Sequence, residues 1–150
     1  METRINVFEK GQKALSTLFG ISSYLKKSGL EKSLLDLVDF RVSQINSCAY
    51  CLDMHSKEAL AAGETPQRLF ALSAWRETPF FTTKERAALA WAEAVTACHV
   101  PDEIYTEAKT QFSDEELIDL TLVITTINTW NRINLAFPNN VGSYRVGQFG

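Results

Sequence analysis

Apolar residues recur at steps of three and four along almost the whole chain, which predicts an all-α protein. Val7, Leu15, Leu18, Phe19, Ile21 and Leu25 mark residues 6–27, either one kinked helix or two short ones because Gly11 and Gly20 interrupt the pattern, with Gly29 as its stop. Leu34, Leu35, Leu37, Val38, Val42 and Ile45 form a broad stripe, opened by Ser33 three residues before Asp36 in the manner of a capping box. Asn46-Ser47 reads as a break followed by an N-cap, so the next helix spans 48–62 and closes at Gly63. Thr65-Pro66 is an N-cap with proline at the first helical position, leading through Leu69, Phe70, Leu72 and Trp75. Thr82 with Glu85 opens a helix carrying Ala88, Trp91, Ala92, Val95 and Cys98. Val100-Pro101 ends it and starts a short helix with Asp102 and Glu103 in its first turn. Ser113 with Glu116 opens a long apolar helix through Leu117, Leu120, Ile124, Ile127 and Ile133 to Phe137. Beyond Pro138 the residues favour turns. No segment alternates with period two, and there is no internal repeat or interdomain linker. The expectation is one all-α domain over 1–150, with six or seven helices.

Composition narrows the function. Apolar residues make up 45% and charged residues 22% of 150 residues, enough for a single buried core. The net charge is −3 and the longest basic run is Lys26-Lys27, which argues against a nucleic acid or an anionic membrane as partner. No apolar run approaches the roughly 20 residues that span a bilayer. The opening Met-Glu-Thr-Arg-Ile-Asn has no apolar region of the signal-peptide kind. The cytoplasm is the expected compartment. Three cysteines in a reducing compartment do not make a disulfide scaffold, so a close pair points to redox chemistry or metal binding.

That pair lies in Ser47-Cys48-Ala49-Tyr50-Cys51-Leu52-Asp53-Met54-His55. Helical spacing puts Cys48, Cys51 and His55 in one line, with both cysteines near a helix start, where free amides and the helix dipole favour a thiolate. A thiolate attacks a peroxide oxygen to give a sulfenic acid, and a second thiol condenses with it to a disulfide. His55 is the candidate base, and Asp36 on the preceding helix is the candidate carboxylate to orient it. Position on the helix favours Cys48 as the thiolate, whereas proximity to His55 favours Cys51.

Other readings use the same residues. A zinc site needs a fourth ligand, for which Cys98-His99 lies far along the chain. A thioredoxin-type fold needs strands. Inert core thiols are the bland alternative. Cys98 and His99 stand at a helix C-terminus, which disfavours a thiolate, and no catalytic role is expected of either. Asn128, Trp130 and Asn131 are polar material in the most apolar helix, either bonding neighbouring backbone or lining the thiol pocket. Trp75, Phe80 and Phe81 read as packing.

From Asp36 through Arg41, Ser43, Gln44, Asn46, Cys48, Tyr50, Cys51 and Asp53 to His55, the chain resembles the core of AhpD-like alkylhydroperoxidases of the carboxymuconolactone decarboxylase family. The shared pattern is an acidic residue, eleven others, Cys-x-x-Cys, three others and His. Leu117-Ile-Asp-Leu120-Thr121 and Ile127-Asn128-Thr-Trp130-Asn131-Arg132 extend the resemblance, which covers roughly residues 29–137. It implies an all-helical AhpD-like subunit in a homo-oligomer, commonly a trimer or trimer-based. It also implies peroxidase chemistry on an organic hydroperoxide, with Cys51 attacking, Cys48 resolving, and His55 and Asp36 in the relay. No metal or organic cofactor is implied. Electrons would come from an external dithiol reductant, such as a dihydrolipoamide-bearing protein. Asp36 replaces the usual Glu, so its shorter side chain would reach His55 through a bridging water, and Tyr50 stands where the founding members have His. Two further functions fit the wider family or the thiols. One is lactone decarboxylation, which needs no Cys-x-x-Cys. The other is a redox-sensing oligomeric subunit without turnover.

Overall fold

The computed structural model describes residues 4–150; residues 1–3, part of the opening stretch read above, lie outside it. Among the described residues eight α-helices follow one another: α1 (Val7–Lys10), α2 (Gln12–Leu25), α3 (Lys32–Ile45), α4 (Ala49–Ala61), α5 (Pro66–Ala71), α6 (Thr83–Thr96), α7 (Asp102–Gln111) and α8 (Asp114–Ala136). A 3-10 helix (Leu72–Glu77) joins α5 to α6, and no strand occurs among the described residues. The all-α expectation holds, with more helices than the six or seven read from the pattern. The surplus α-helix arises where Gly11 parts α1 from α2; the 3-10 helix that follows α5 is itself kinked at Ala74 (φ −117°, ψ 30°).

Two capping boxes form as expected. Thr82 accepts from the Glu85 amide while Glu85 accepts from the Thr82 amide, and Ser113 with Glu116 repeats the exchange. Thr65 caps α5 with Pro66 behind it. Gly63 (φ +99°) closes α4, letting the Glu64 amide reach the Ala59 carbonyl at 2.9 Å.

Two expected caps are absent. Ser33 does not open α3; Glu31 is the N-cap and its side chain makes no cap bond. Leu30, before the cap, and Leu35, at the fourth helical position, pack on one core cluster, so an apolar staple sets the start instead. Ser47 does not cap α4 either. It sits in the left-handed region (φ 54°), ending α3 by a turn in which the Cys48 amide bonds the Ser43 carbonyl at 3.1 Å. Cys48 is the N-cap of α4 in its place.

Helix α3 is the axis of the packing, with α4, α6 and α8 against it. Its two buried sides feed two cores. Val38 and Val42 meet Ala88 and Ala92 of α6 and Leu120 and Ile124 of α8; Leu37 meets Leu69, Leu72, Trp75 and Leu89. The alanines of α6 allow a close approach, since interaxial distance follows the side chains at the contact. Full burial of a side chain such as Leu37 is worth about 1.5–3 kcal/mol. Trp75 and Phe81 pack in the second core, as expected, while Phe80 is exposed. Among the described residues no helix is long and apolar enough to cross a membrane.

Candidate active site

The turn from α3 into α4 brings the chemistry together. In a capping box the N-cap and third-position side chains face one another; here those positions hold Cys48 and Cys51, and they are joined as a disulfide with 5.3 Å between α-carbons. Each cysteine is 1% exposed, so reagents cannot reach the bridge from the outer surface. The turn is pinned from α8. Asn46 donates to the Asn128 and Asn131 side chains at 2.9 Å each, and the buried Asn131 donates to Ser43 at 3.0 Å. Asn128 and Asn131 therefore hold the backbone around Cys48, and Trp130 between them lines a cavity.

This cavity, of about 260 Å³, lies between α2, α3, α4, α8 and the C-terminal tail. Phe8, Phe19, Leu35, Met54, Trp130 and Phe149 supply its apolar walls; Asp36, Asp39, Tyr50, Cys51, His55 and Asn134 supply its polar end. Cys51 faces the cavity and Cys48 is not among its lining residues.

His55, one turn after Cys51, is buried, and its Nε2 has no hydrogen-bond partner. Burial holds its pKa down at about 4, partly countered by the negative charge of Glu58, so the imidazole is neutral near pH 7 and able to accept a proton. The carboxylate found beside His55 is Asp39, with Oδ2 3.8 Å from Nδ1. Burial raises Asp39 well above the usual carboxylate range, and the charge of Asp36 adds to this. With both groups pushed toward their uncharged forms, the contact is not an ion pair, and 3.8 Å is too long for a hydrogen bond.

Asp36 lines the same polar end but pairs with Lys32 at 2.6 Å. Burial raises its pKa too, against the pull of Lys32. The family pattern singles out only the position twelve before Cys48, which is Asp36; the sequence signal for Asp39 is its place one turn later on the same face of α3. Tyr50 is held in its phenol form by burial and by Asp53, which makes it a donor rather than a base. Asn134, also missed, donates to the Cys51 sulfur at 3.7 Å. Cys98 is free and exposed, at a left-handed residue (φ 55°) beyond the end of α6. Among the described residues no three His, Cys, Asp or Glu side chains cluster in a way that could hold a metal ion.

A helical domain with a buried cysteine pair at a helix start, and a histidine one turn on inside an apolar cavity, defines a class of thiol-bearing all-α proteins. The chain belongs to the carboxymuconolactone decarboxylase family, whose model matches residues 11–94. It is 37% identical to YdfG, an uncharacterized protein of Bacillus subtilis (strain 168), over 95% of this chain and 99% of that one. The fold is AhpD-like. A crystal structure of an Agrobacterium tumefaciens protein of unknown function, suggested to be the antioxidant defence protein AhpD, superposes with a TM-score of 0.89. The two are 39% identical over 95% of this chain and 100% of the other. The debrominase Bmp8 shares the fold at a TM-score of 0.81 and 22% identity, covering 90% of this chain and 74% of its own.

Proposed function

We propose that the protein is a thiol-dependent peroxidase that reduces organic hydroperoxides by cycling Cys48 and Cys51 between dithiol and disulfide. The observation that carries the reading is the bridged pair at the polar end of the cavity, with the unpartnered imidazole of His55 inside it. In the reduced protein His55 takes the proton of Cys51. The Cys51 thiolate attacks the terminal peroxide oxygen, the O–O bond breaks, and the leaving alkoxide takes the proton back from His55 to depart as an alcohol. The Cys48 thiol then attacks the sulfenic sulfur of Cys51, closing the disulfide and releasing water. Asp39, 3.8 Å from Nδ1, and Asp36, one turn earlier on α3, flank the imidazole at the same end of the cavity. An external dithiol returns two electrons per turnover, and the burial of both sulfurs favours a slender donor such as a dihydrolipoyl arm. A cytoplasmic homo-oligomer, trimeric or trimer-based, fits the resemblance to AhpD-like proteins, and the likeness to an antioxidant-defence structure supports the same biology.

The test is a stoichiometric titration of reduced protein with an organic hydroperoxide, with the oxidised cysteines mapped by mass. One equivalent should join Cys48 to Cys51 and leave Cys98 free. Cys51→Ser should abolish peroxide consumption, while Cys48→Ser should complete one turnover and accumulate a trappable sulfenic acid. Cys98 in the bridge, or no thiol loss, would defeat the assignment. Asp36→Asn and Asp39→Asn, compared in pH–rate profiles of Cys51 alkylation, identify which carboxylate serves His55; the one that does should slow thiolate formation by roughly 10²–10⁴-fold when removed.

The family name favours one other enzyme, a lactone decarboxylase. Lactone turnover by a Cys48→Ser/Cys51→Ser protein would establish it, and disulfide formation without turnover in the presence of a recycling dithiol would make the pair a sensor.

A further inference from the structure

We infer that Asn134 is a catalytic residue of this site: its amide donates to the Cys51 sulfur and favours the thiolate, and Asn139 is the positioning residue that keeps it turned that way. The inference rests on Cys51 being the attacking thiol.

Asn134 lies in the last turn of α8 and is buried. All of its polar atoms are engaged. One amide hydrogen goes to the Trp130 carbonyl at 3.0 Å and the other to the Cys51 Sγ at 3.7 Å, within range for a sulfur acceptor. Its Oδ1 accepts from the Asn139 side chain at 2.7 Å. The Trp130 carbonyl can only accept, so it fixes which way the Asn134 amide faces, and Asn139 turns its NH2 to the Oδ1 left on the other side. Its remaining hydrogen is left pointing at sulfur.

A hydrogen bond from a neutral donor gains strength when the acceptor becomes an anion, so it favours the thiolate over the thiol. In the disulfide the sulfur carries little charge and the bond is weak. Once the bridge is reduced, the same donor faces a group that ionises. The amide brings no charge of its own into an apolar cavity, where a lysine would be costly to bury. It also approaches from α8, opposite the helix that carries His55, so the base and the donor address Cys51 from different elements. Besides Cys51, the titratable side chains around the cavity are His55, Tyr50 and Glu58 of α4, Asp36, Asp39 and Lys32 of α3, Lys26 just after α2, and Tyr144 of the tail. The α8 residues that line it carry none, so exchanging Asn134 leaves every one of those charges in place.

The experiment titrates the thiolate absorbance of reduced protein in a Cys48→Ser/Cys98→Ser background, where Cys51 is the only thiol, with thermal unfolding alongside. Asn134→Ala should leave about ten- to a hundredfold less Cys51 thiolate at a pH below its pKa, the size expected for a hydrogen bond to a charged group. Asn139→Ala should produce a smaller loss in the same direction. Asn134→Asp matches the side chain in shape but replaces the donor with a carboxylate, so its loss should exceed that of alanine; it also carries the test if the alanine protein does not fold. An unchanged Cys51 titration in a folded Asn134 variant overturns the inference and reduces Asn134 to a cap on the Trp130 carbonyl. The readout uses no peroxide. A shifted titration in a protein inert to peroxides would uphold the thiolate role while removing the peroxidase, and an unshifted one in an active peroxidase would do the reverse.

Discussion

His55 is stored in the fold as a neutral base, and that has a consequence for stability. Its folded pKa of about 4 lies below the ordinary 6.5, so the unfolded chain binds the proton first. Whatever stability depends on the neutral imidazole is complete above pH 6.5 and is lost as the pH falls toward 4. The shift corresponds to about 3 kcal/mol by pH 4. Asp39 works with the opposite sign. Its raised pKa means that the folded protein holds a proton the unfolded chain gives up, so stability is lost as the pH climbs above 3.8. Between pH 7 and pH 4 the two effects oppose one another, so the stability of the wild type in urea unfolding should fall relative to that of His55→Gln as the pH falls. Over the same range Asp39→Asn should stabilise the protein most at pH 7 and least at pH 4. A difference between wild type and His55→Gln that does not change between pH 6.5 and 4 would contradict a buried neutral His55.

Helix α4 does more than present Cys51. Its outer side anchors the C-terminal tail, which forms one wall of the cavity. Lys57 donates to the Gly142 and Tyr144 carbonyls at 3.2 and 3.1 Å, and Asp53 accepts from the Gly142 amide at 3.1 Å. Glu58 accepts from the Tyr144 hydroxyl and from the Gly147 amide. Burial pushes the Glu58 carboxyl up, but those two bonds, with the charge of Lys32, outweigh it and keep the group ionised. The clip positions Phe149, which stacks on Phe8 at 5.2 Å and lies 6.0 Å from Phe19, so segments from both ends of the chain roof the site. Glu58→Gln, with Tyr144→Phe as a second variant, should loosen the wall. Amide exchange over 142–150 should rise, and reduced Cys51 should react several-fold faster with a bulky alkylating reagent while a small one gains little. Equal gains for both reagents would show that the tail does not screen by size.

At the scale of the molecule, the proposed cycle would run both half-reactions through one cavity, because each cysteine is only 1% exposed and Cys51 is the one that lines it. Peroxide would react with the dithiol form and the reductant with the disulfide form, giving ping-pong kinetics. Several large apolar side chains stand outside this cavity, among them Phe70 (84% exposed) on α5 and Ile118 (69%) on α8. Such side chains are common singly on monomers, so they do not by themselves require a partner. The proposed homo-oligomer is tested directly: light scattering should give a multiple of the 16.8 kDa chain mass, and a mass of 16.8 kDa would make the protein a monomer.

Much of this molecule was legible in the chain because its information is local. The three-and-four spacing of Leu34 to Ile45, the Thr82–Glu85 and Ser113–Glu116 boxes, and Pro66 behind Thr65 each act within one or two turns, and each formed as read. The spacing of Cys51 and His55, one turn apart on α4 with Cys48 as its N-cap, belongs to the same kind, since one helix and its cap set it. What the tertiary structure decided depends on contacts between distant segments. Ser33 has the chemistry of a cap, yet burial of Leu30 and Leu35 in a core shared with α6 and α8 moved the helix start past it. Ser47 was drawn into the left-handed turn that lets α3 hand over to α4 under the Asn46–Asn128–Asn131 bonds. Asp36 and Asp39 are equivalent in sequence; the packing of α4 across α3 set Asp39 beside His55 and left Asp36 to Lys32. Asn134 meets Cys51 across 83 residues of chain, a proximity that no periodicity encodes. Local spacing placed the sulfurs and the imidazole, and long-range burial chose the groups that surround them.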